Sequence, residues 1–464
     1  MIYDYIIIGS GPAGSVAAYC LQKQGMKCLM LEAQKERGEK TCGGYLTWSA
    51  ITTIVYCCDT MNYYVFPKGE AEELADGIDN AEHALSVLGS QKEIYEDEFS
   101  TLILNVSNDC NMRCKYCFAN HGAYQSPKGM MNADIACKAL DEYANKYHKI
   151  KEVKFFGGEP LMNTTTIEAV CKHTYSLYAE GVLKKLPRFK VITNGTILND
   201  KVLELIDKYG LNIVFSIDGP PEVHNMARVF VNGEATFNVI RNNFNELKKR
   251  TLGAQPCSIE VTYSNAHLLN GMSMADTVKY LYCEFDLEPG QVNVSLVNLS
   301  INDPLALPDG ENCWSDFAKD VIQRKQNGEG FLGDLKLMGL IHRIKNHKVS
   351  SNILCSAGNS WAAVSSSGKI YPCLMFIDQN DFYMGCVSTA FLNTDTYRNI
   401  SQKFSVCHKQ NNPCAKCFAK QVCNRCAGIN YFLTGDISGN DPHQCQIMRD
   451  TVEILIKGIA NGIV

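Results

Sequence analysis

Three closely spaced cysteines, Cys110-Asn-Met-Arg-Cys114-Lys-Tyr-Cys117, constrain this chain more than any other feature. Three thiolates cannot complete a four-coordinate zinc site alone. They can hold a 4Fe–4S cluster through three irons and leave the fourth open to an exogenous ligand, so that the cluster can take part in chemistry. The alternative is a structural zinc knuckle, for which His121 is the nearby candidate for a fourth ligand.

The composition is that of an ordinary globular protein. The chain has 464 residues, 46% of them hydrophobic and 20% charged, which is enough for about three domains. A net charge of −5 gives no case for binding nucleic acid, and the absence of a long apolar run predicts no membrane span. The start lacks a signal-peptide pattern, and the 22 cysteines include Cys-x2-Cys pairs, so we predict a reducing compartment, the cytoplasm.

Strands and helices alternate between residues 99 and 300. Repeated β-α units predict a parallel sheet with right-handed crossovers. Six units fit an α/β fold with a partial (β/α)6 barrel, whose site should lie at the C-terminal ends of the strands. The strand candidates are Leu102–Val106, Glu152–Phe156, Phe189–Thr193, Ile213–Ile217, Ser258–Tyr263 and Val292–Val297. Helices are predicted between them, for example Ala133–Tyr147 and Thr166–Glu180.

The cysteine motif resembles that of the radical S-adenosylmethionine (radical SAM) enzymes. The resemblance implies that Cys110, Cys114 and Cys117 hold the cluster and that its open iron binds the amino and carboxylate groups of SAM. Further family motifs follow successive predicted strands. They imply cofactor contacts by Gly157, Gly158, Glu159, Pro160, Asn194, Ser216 and Arg228.

The same family pattern implies specific roles for these cofactor-binding residues. The Gly157–Pro160 segment would bind the SAM amino group. Ser216 and Arg228 would hold its carboxylate, since a guanidinium is a natural carboxylate clamp. Asn194 would lie near the ribose or the carboxylate.

Residues 353–464 are rich in cysteine and have few long periodic runs, which predicts a loop-rich domain. They resemble the SPASM domain, the twin-cluster extension of radical SAM peptide modifiers. The resemblance implies one auxiliary cluster on Cys355, Cys373 and Cys426, and a second on Cys414, Cys417, Cys423 and Cys445. The spacing Cys423-Asn-Arg-Cys426 departs from the Cys-x3-Cys of the family. Cys386, Cys407 or an open iron would complete the first auxiliary cluster, and a zinc ribbon is the alternative for the whole segment.

The N-terminal part divides into two predicted modules. Residues 1–52 contain the dinucleotide-binding pattern Gly9-x-Gly11-x-x-Gly14 with Glu32, which predicts a short β-α-β unit. They resemble a truncated flavin-dependent reductase of the geranylgeranyl reductase type. Residues 53–98 are predicted to form a short antiparallel pair of strands, at 53–56 and 63–66, followed by helices. They resemble a winged-helix cap that grips a leader peptide, or a plain cap on the barrel. Residues 301–352 are predicted to connect the barrel to the C-terminal domain.

These features predict a radical SAM enzyme that modifies a peptide. The chain resembles maturases of cysteine-rich ribosomally made peptides, which implies thioether cross-linking of a substrate with a leader sequence and an electron donor such as flavodoxin or ferredoxin. An anaerobic sulfatase-maturating enzyme, which forms formylglycine, is the first alternative. A flavin-dependent reductase and a non-catalytic iron–sulfur electron carrier are alternatives of other classes.

The catalytic acid or base is not identified by the sequence. The polar residues nearest the predicted barrel mouth are Glu159, Asp218, His224 and His267. Any of them could accept a proton, and a purely structural role is the alternative for each.

Overall fold

The computed structural model describes residues 98–346, 355–405, 414, 417–423 and 425–464. Nearer the N-terminus it describes residues 5–8, 18, 21, 28–31, 52–57 and 63–67. Four of the predicted features lie outside the described residues: the glycine turn at residues 9–14, Glu32, the helices of the cap and Cys407.

One nine-stranded sheet organises the described chain, in the order β10-β9-β8-β7-β6-β5-β11-β12-β13. The pairings from β10 to β11 are parallel, and those of β11–β12 and β12–β13 are antiparallel. All six predicted strands are present, as β5 to β10. The bounds are β5 Glu98–Ser107, β6 Lys149–Gly157, β7 Arg188–Thr193, β8 Asn212–Ser216, β9 Ser258–Tyr263, β10 Val292–Leu296, β11 Trp361–Val364, β12 Lys369–Tyr371 and β13 Gly385–Cys386.

Helices connect the parallel strands, as expected of repeated β-α units. Asn199 caps the third helix by accepting the Val202 amide hydrogen at 3.0 Å, and Gly210 ends it with a φ of 64°. The bounds are α1 Ala133–Tyr147, α2 Thr164–Ala179, α3 Asp200–Tyr209, α4 Pro221–Ala227, α5 Phe237–Arg250, α6 Asn265–Leu269, α7 Met274–Glu284, α8 Cys313–Gln326, α9 Leu335–Lys345, α10 Asp395–Ser405, α11 Ala427–Thr434 and α12 Pro442–Ala460.

The C-terminal segment is built onto the barrel sheet. Strand β11 pairs in parallel with β5, in the register Trp361↔Thr101 to Val364↔Leu104. Helix α12 has 19 residues and buries an apolar face that includes Leu455 and Ile456. This long helix was not predicted, since the sequence suggested a segment with few long periodic runs. The pairing brings the C-terminal cysteines into one body with the strand that leads to Cys110.

The N-terminal strands form a separate four-stranded sheet in the order β2-β1-β3-β4. Strands β1 (Tyr5–Ile8) and β2 (Cys28–Leu31) are parallel, as the predicted β-α-β unit requires. Strands β3 (Thr52–Cys57) and β4 (Tyr63–Pro67) form the predicted antiparallel pair. Because β3 also pairs with β1, the two predicted N-terminal modules share one sheet.

None of the described helices combines the length and the apolar character that crossing a lipid bilayer requires.

Candidate functional site

The loop that carries Cys110, Cys114 and Cys117 begins where β5 ends, at the C-terminal edge of the parallel sheet. Backbone hydrogen bonds join this loop to the C-terminal end of α4 and the residues after it, from the Arg113 amide to the Val229 carbonyl at 2.8 Å and from the Lys115 amide to the Ala227 carbonyl at 2.9 Å. The loop is therefore fixed at its start by β5 and along its length by the end of α4. All three cysteines are partly exposed, so they border both the core and the sheet edge.

The three thiols are electrostatically coupled to one another. A negative charge on Cys114 raises the pKa of Cys110, and a negative charge on Cys117 raises the pKa of Cys114. Burial raises the pKa of the Cys110 thiol to about 12, with a further contribution from the Glu159 carboxylate. Burial also raises the pKa of Cys114, which the Arg228 guanidinium opposes. The role of the three cysteines as cluster ligands stays a prediction.

Gly157 and Gly158 permit a close approach of backbone to backbone. A Cβ at Gly158 would lie 2.2 Å from the Asp109 carbonyl oxygen, and Gly157 has a φ of 141°. Without side chains here, the Gly158 amide donates to Ser107 at 2.8 Å and the Glu159 amide donates to Asp109 at 2.9 Å. The paired glycines thus fasten the end of β6 to the cysteine loop, and their predicted contact with SAM stays a prediction.

The Glu159 side chain is fully buried and holds two strand ends together. It accepts hydrogen bonds from the Leu161 amide at 2.9 Å, the Thr193 hydroxyl at 2.7 Å and the Asn194 amide at 2.7 Å. Burial raises its pKa, and these three donors oppose that shift. Its carboxylate acts structurally, because its hydrogen bonds position Asn194 at the end of β7.

Asn194 reaches the cysteine loop. Its side-chain nitrogen lies 3.7 Å from the Cys110 sulfur and donates to the Asn111 side-chain oxygen at 2.8 Å. Ser216 ends the next strand, β8, and is partly exposed. Both predicted cofactor contacts therefore lie at successive strand ends, on the edge that carries the cysteines.

Arg228 is buried and belongs to a polar network beside Cys114. Its Nη1 donates to the Tyr116 hydroxyl at 2.9 Å, and that hydroxyl donates to an Asp218 carboxylate oxygen. The other Asp218 oxygen accepts the Thr262 amide hydrogen at 3.0 Å. The Nε of Arg228 is buried and has no partner within the described structure. A buried guanidinium N–H without an acceptor marks a place for an anionic ligand.

Tyr116 was missed by the sequence analysis. It lies inside the cysteine motif, which was the available signal, but its partners Asp218 and Arg228 are about a hundred positions away along the chain. The spacing of the motif gives no indication of these contacts.

His224 and His267 lie behind this network and support it. The His224 ring accepts the Asp218 amide hydrogen at 3.3 Å and lies 3.1 Å from the Thr236 hydroxyl. The Nε2 of His267 lies 2.7 Å from the Asp218 carbonyl oxygen. Burial lowers the pKa of both rings. Both histidines are therefore positioning residues for the Asp218 segment.

Electrostatic coupling links cysteines within each of the two predicted C-terminal sets, and their roles as cluster ligands stay predictions. Cys426 is electrostatically coupled to Cys355 and to Cys373, and the Ala427 amide donates to the Cys355 sulfur. Cys386, a candidate fourth ligand, lies in β13 and accepts a hydrogen bond from the Ser388 hydroxyl at 3.2 Å.

The second set consists of Cys414, Cys417, Cys423 and Cys445. Cys414 is coupled to Cys417 and Cys445, and Cys423 is coupled to Cys414 and Cys417. Thiolates are the ligands that an iron–sulfur cluster prefers, and the role of these four cysteines as ligands stays a prediction. In the part of the chain that the structure describes, no three His, Cys, Asp or Glu side chains form a group that could hold a single metal ion.

Comparison with known proteins identifies the barrel. The Radical SAM superfamily matches residues 104–281, and an NAD(P)-binding Rossmann-like domain matches residues 7–41. The first match includes Cys110, Cys114, Cys117 and Arg228.

Curated relatives match either a short part of the chain at higher identity or most of the chain at lower identity. The radical SAM cyclopropyl synthase TigE of Paramaledivibacter caminithermalis is 31% identical over 28% of this chain and 29% of its own length. Relatives at 31% to 33% identity are matched over less than half of their own length, from 29% to 45%. A cysteine-type anaerobic sulfatase-maturating enzyme of Clostridium perfringens is 22% identical over 70% of this chain and 89% of its own.

Solved structures share the fold. Native anSMEcpe with bound AdoMet and Cp18Cys peptide superposes with a TM-score of 0.61 at 21% identity, over 79% of this chain and 100% of that one. These structures show the fold, and the match of the Radical SAM superfamily to residues 104–281 shows that the chain contains a radical SAM domain. The predictions of that superfamily, of an enzyme and of the α/β fold are confirmed. The superfamily implies SAM and a 4Fe–4S cluster as cofactors.

Proposed function

We propose that the chain is a radical SAM peptide maturase that binds three 4Fe–4S clusters and forms thioether cross-links in a cysteine-rich, ribosomally made peptide. One observation carries the proposal: β5 leads into the Cys110 loop and also pairs with β11 of the segment that holds the other two cysteine sets. All three sets thus belong to one body. A radical site and an electron-transfer site in one body fit a reaction that abstracts hydrogen and then removes an electron.

The residues present fit both cofactors of the barrel. Cys110, Cys114 and Cys117 supply three thiolates in one environment, which leaves one iron for SAM. Arg228, with its unpartnered Nε, supplies a donor for the SAM carboxylate. In this proposal Asn194, Ser216 and the Gly157–Pro160 segment line the remainder of the SAM site. The chemistry that such a cluster supplies, when bound, is one-electron reduction of SAM, which yields a 5′-deoxyadenosyl radical.

The protein residues have positioning roles in this proposal. Glu159 fixes Asn194 relative to Cys110 through three hydrogen bonds. Tyr116 and Asp218 hold the Arg228 side chain in one orientation. A rigid donor set aligns SAM and the substrate carbon, so that the radical meets the intended hydrogen.

The leader peptide of the substrate binds to the N-terminal sheet in this proposal. It adds a strand to the edge strand β4, since β4 ends the strand order in the described part of the chain.

The C-terminal segment holds the two auxiliary clusters. Cys355, Cys373 and Cys426 hold the first auxiliary cluster, and Cys414, Cys417, Cys423 and Cys445 hold the second. The proposed boundaries are a barrel over 99–300 and a twin-cluster domain over 353–464. A cytoplasmic flavodoxin or ferredoxin supplies the electron.

Protein reconstituted under anaerobic conditions should bind about twelve irons, because each of three clusters contains about four. Iron and acid-labile sulfide analysis measures this directly. Zinc bound in the C-terminal segment would contradict the assignment of two auxiliary clusters.

Incubation with SAM, a reductant and a cysteine-rich peptide encoded beside this chain should remove two hydrogen atoms from the peptide. A thioether forms when one C–H and one S–H are lost and one C–S bond is made. Mass spectrometry measures the loss, and fragmentation locates the bond. A peptide that still reacts in full with a thiol-alkylating reagent would contradict cross-linking.

Maturation of a sulfatase is the second candidate, because the match to the Clostridium perfringens enzyme spans most of both chains. Its product, formylglycine, has an aldehyde oxygen in place of the cysteine sulfur. The same mass measurement on a sulfatase-derived peptide separates the two functions, since only that product loses sulfur.

A further inference from the structure

Tyr124 lies in the loop that follows the cysteine motif, and its backbone is fixed there. Its amide donates to the Ala119 carbonyl at 2.8 Å, and its carbonyl accepts a hydrogen bond from the Asn120 side chain at 3.3 Å. Its φ of 52° lies in the left-handed region, which residues other than glycine seldom adopt. In the same loop, a Cβ at Gly122 would lie 2.5 Å from the Cα of Gly158, so the loop packs directly against Gly158. The loop therefore gives the Tyr124 side chain one fixed direction.

The side chain of Tyr124 lies between the loops of two proposed clusters. It belongs to the main hydrophobic core, and both Cys117 of the barrel motif and Cys373 of the first auxiliary cluster pack against that core. The Gln125 amide donates to an Asp378 carboxylate oxygen at 3.2 Å, which joins the Tyr124 loop to the segment that carries Cys373. Burial raises the pKa of the Tyr124 hydroxyl, and negative charges on Cys117, Cys373 and Asp378 raise it further. Tyr124 is therefore coupled to one cysteine of each set.

The Tyr124 hydroxyl is buried and has no hydrogen-bond partner among the described residues. A buried hydroxyl without a partner costs free energy that a phenylalanine ring of the same shape would not incur. The ring of Phe118 meets the Tyr124 ring edge-on, with centroids 6.1 Å apart, and offers no acceptor. The Asp378 carboxylate accepts the Gln125 amide hydrogen and not this hydroxyl. An acceptor is therefore expected from a group that binds at the neighbouring cysteines.

Sulfur atoms are the hydrogen-bond acceptors that an iron–sulfur cluster presents, and such bonds help to set its reduction potential. A cluster becomes one unit more negative on reduction, so a donor stabilises the reduced form more than the oxidised form. We propose that the Tyr124 hydroxyl donates a hydrogen bond to a sulfur of one of the two clusters between which it lies, on Cys117 or on Cys373, and raises the reduction potential of that cluster. The inference rests on the proposed function, since it needs clusters at both cysteine sets.

Redox titration of the full, reconstituted chain, followed by electron paramagnetic resonance, tests the proposal. Tyr124→Phe keeps the ring and removes the hydroxyl. Loss of a hydrogen bond to a charged acceptor should make the reduction of one signal about tenfold less favourable, which is about 59 mV for one electron. Tyr178→Phe, at an exposed tyrosine on α2, is the matched control and should leave every potential unchanged.

Two further backgrounds identify the cluster that accepts the hydrogen bond. If the acceptor belongs to the first auxiliary cluster, the shift caused by Tyr124→Phe should persist when Cys110, Cys114 and Cys117 are replaced by alanine. If the acceptor belongs to the barrel cluster, the shift should persist in the Cys373→Ala background. A shift that persists in both backgrounds, or in neither, would contradict a direct bond to one cluster.

The outcomes also separate this inference from the proposed function. If the wild-type chain shows no signal of an auxiliary cluster, the proposed function fails. If the signals are present and Tyr124→Phe leaves their potentials unchanged, the inference alone is wrong. Should Tyr124→Phe lower the iron content, a ring-fluorinated tyrosine at position 124 takes its place. Its more acidic hydroxyl is a stronger donor and should raise the same potential, and an unchanged potential there would also contradict the inference.

Discussion

Replacement of Cys110, Cys114 and Cys117 by alanine should reduce the formation of 5′-deoxyadenosine from SAM to the background rate. These thiolates are the proposed ligands of the cluster that reduces SAM. Chromatography of the reaction after addition of dithionite measures the product. This is the largest effect that we expect from any change in the barrel.

The C-terminal clusters should persist in this triple variant, because their proposed ligands lie in a different segment. Iron content should fall by about a third, in line with loss of one cluster of three. Cys283→Ala is the matched control, since Cys283 is an exposed cysteine on the barrel helix α7. Continued cleavage of SAM by the triple variant would show that another set of cysteines holds the catalytic cluster.

The strands of the barrel could be predicted because their signal is local. Strands β5 and β8 contain short apolar runs, whereas β6, β7, β9 and β10 alternate apolar and polar residues, and both patterns are local signals for a strand. Helix α1 was predicted with the bounds that the structure has, Ala133–Tyr147, because its apolar spacing is regular. The cysteine motif was equally local, since its eight residues carry all of its information.

The features that were missed depend on contacts between distant residues. Sequence did not indicate that Gly157 and Gly158 also let the backbone at the end of β6 approach the cysteine loop closely, because this contact joins distant segments. Glu159 was considered as a proton acceptor, but its carboxylate is occupied by three donors. The pairing of β11 with β5 joins residues about 260 positions apart, and no local pattern indicates it.

The Arg228 guanidinium is the second position at which we expect a large effect. Arg228→Lys should weaken the binding of SAM by about a hundredfold, because an ammonium cannot supply the planar pair of donors that a carboxylate accepts. Each charge-assisted hydrogen bond is worth about 1.5–3 kcal/mol, so loss of one or two accounts for this factor. Calorimetric titration of the reconstituted chain with SAM measures the dissociation constant.

Arg228→Lys is preferable to a neutral substitution because Asp218 is buried in contact with Arg228 and Tyr116. Removal of the positive charge would leave the Asp218 carboxylate uncompensated, at a cost of about 3–5 kcal/mol in folding free energy. Lysine keeps the charge, so the melting temperature should change little while SAM binding weakens. Arg188→Lys, at an exposed position on β7, is the matched control and should bind SAM normally. A dissociation constant that Arg228→Lys leaves unchanged would mean that the free Nε of Arg228 serves a ligand other than the SAM carboxylate.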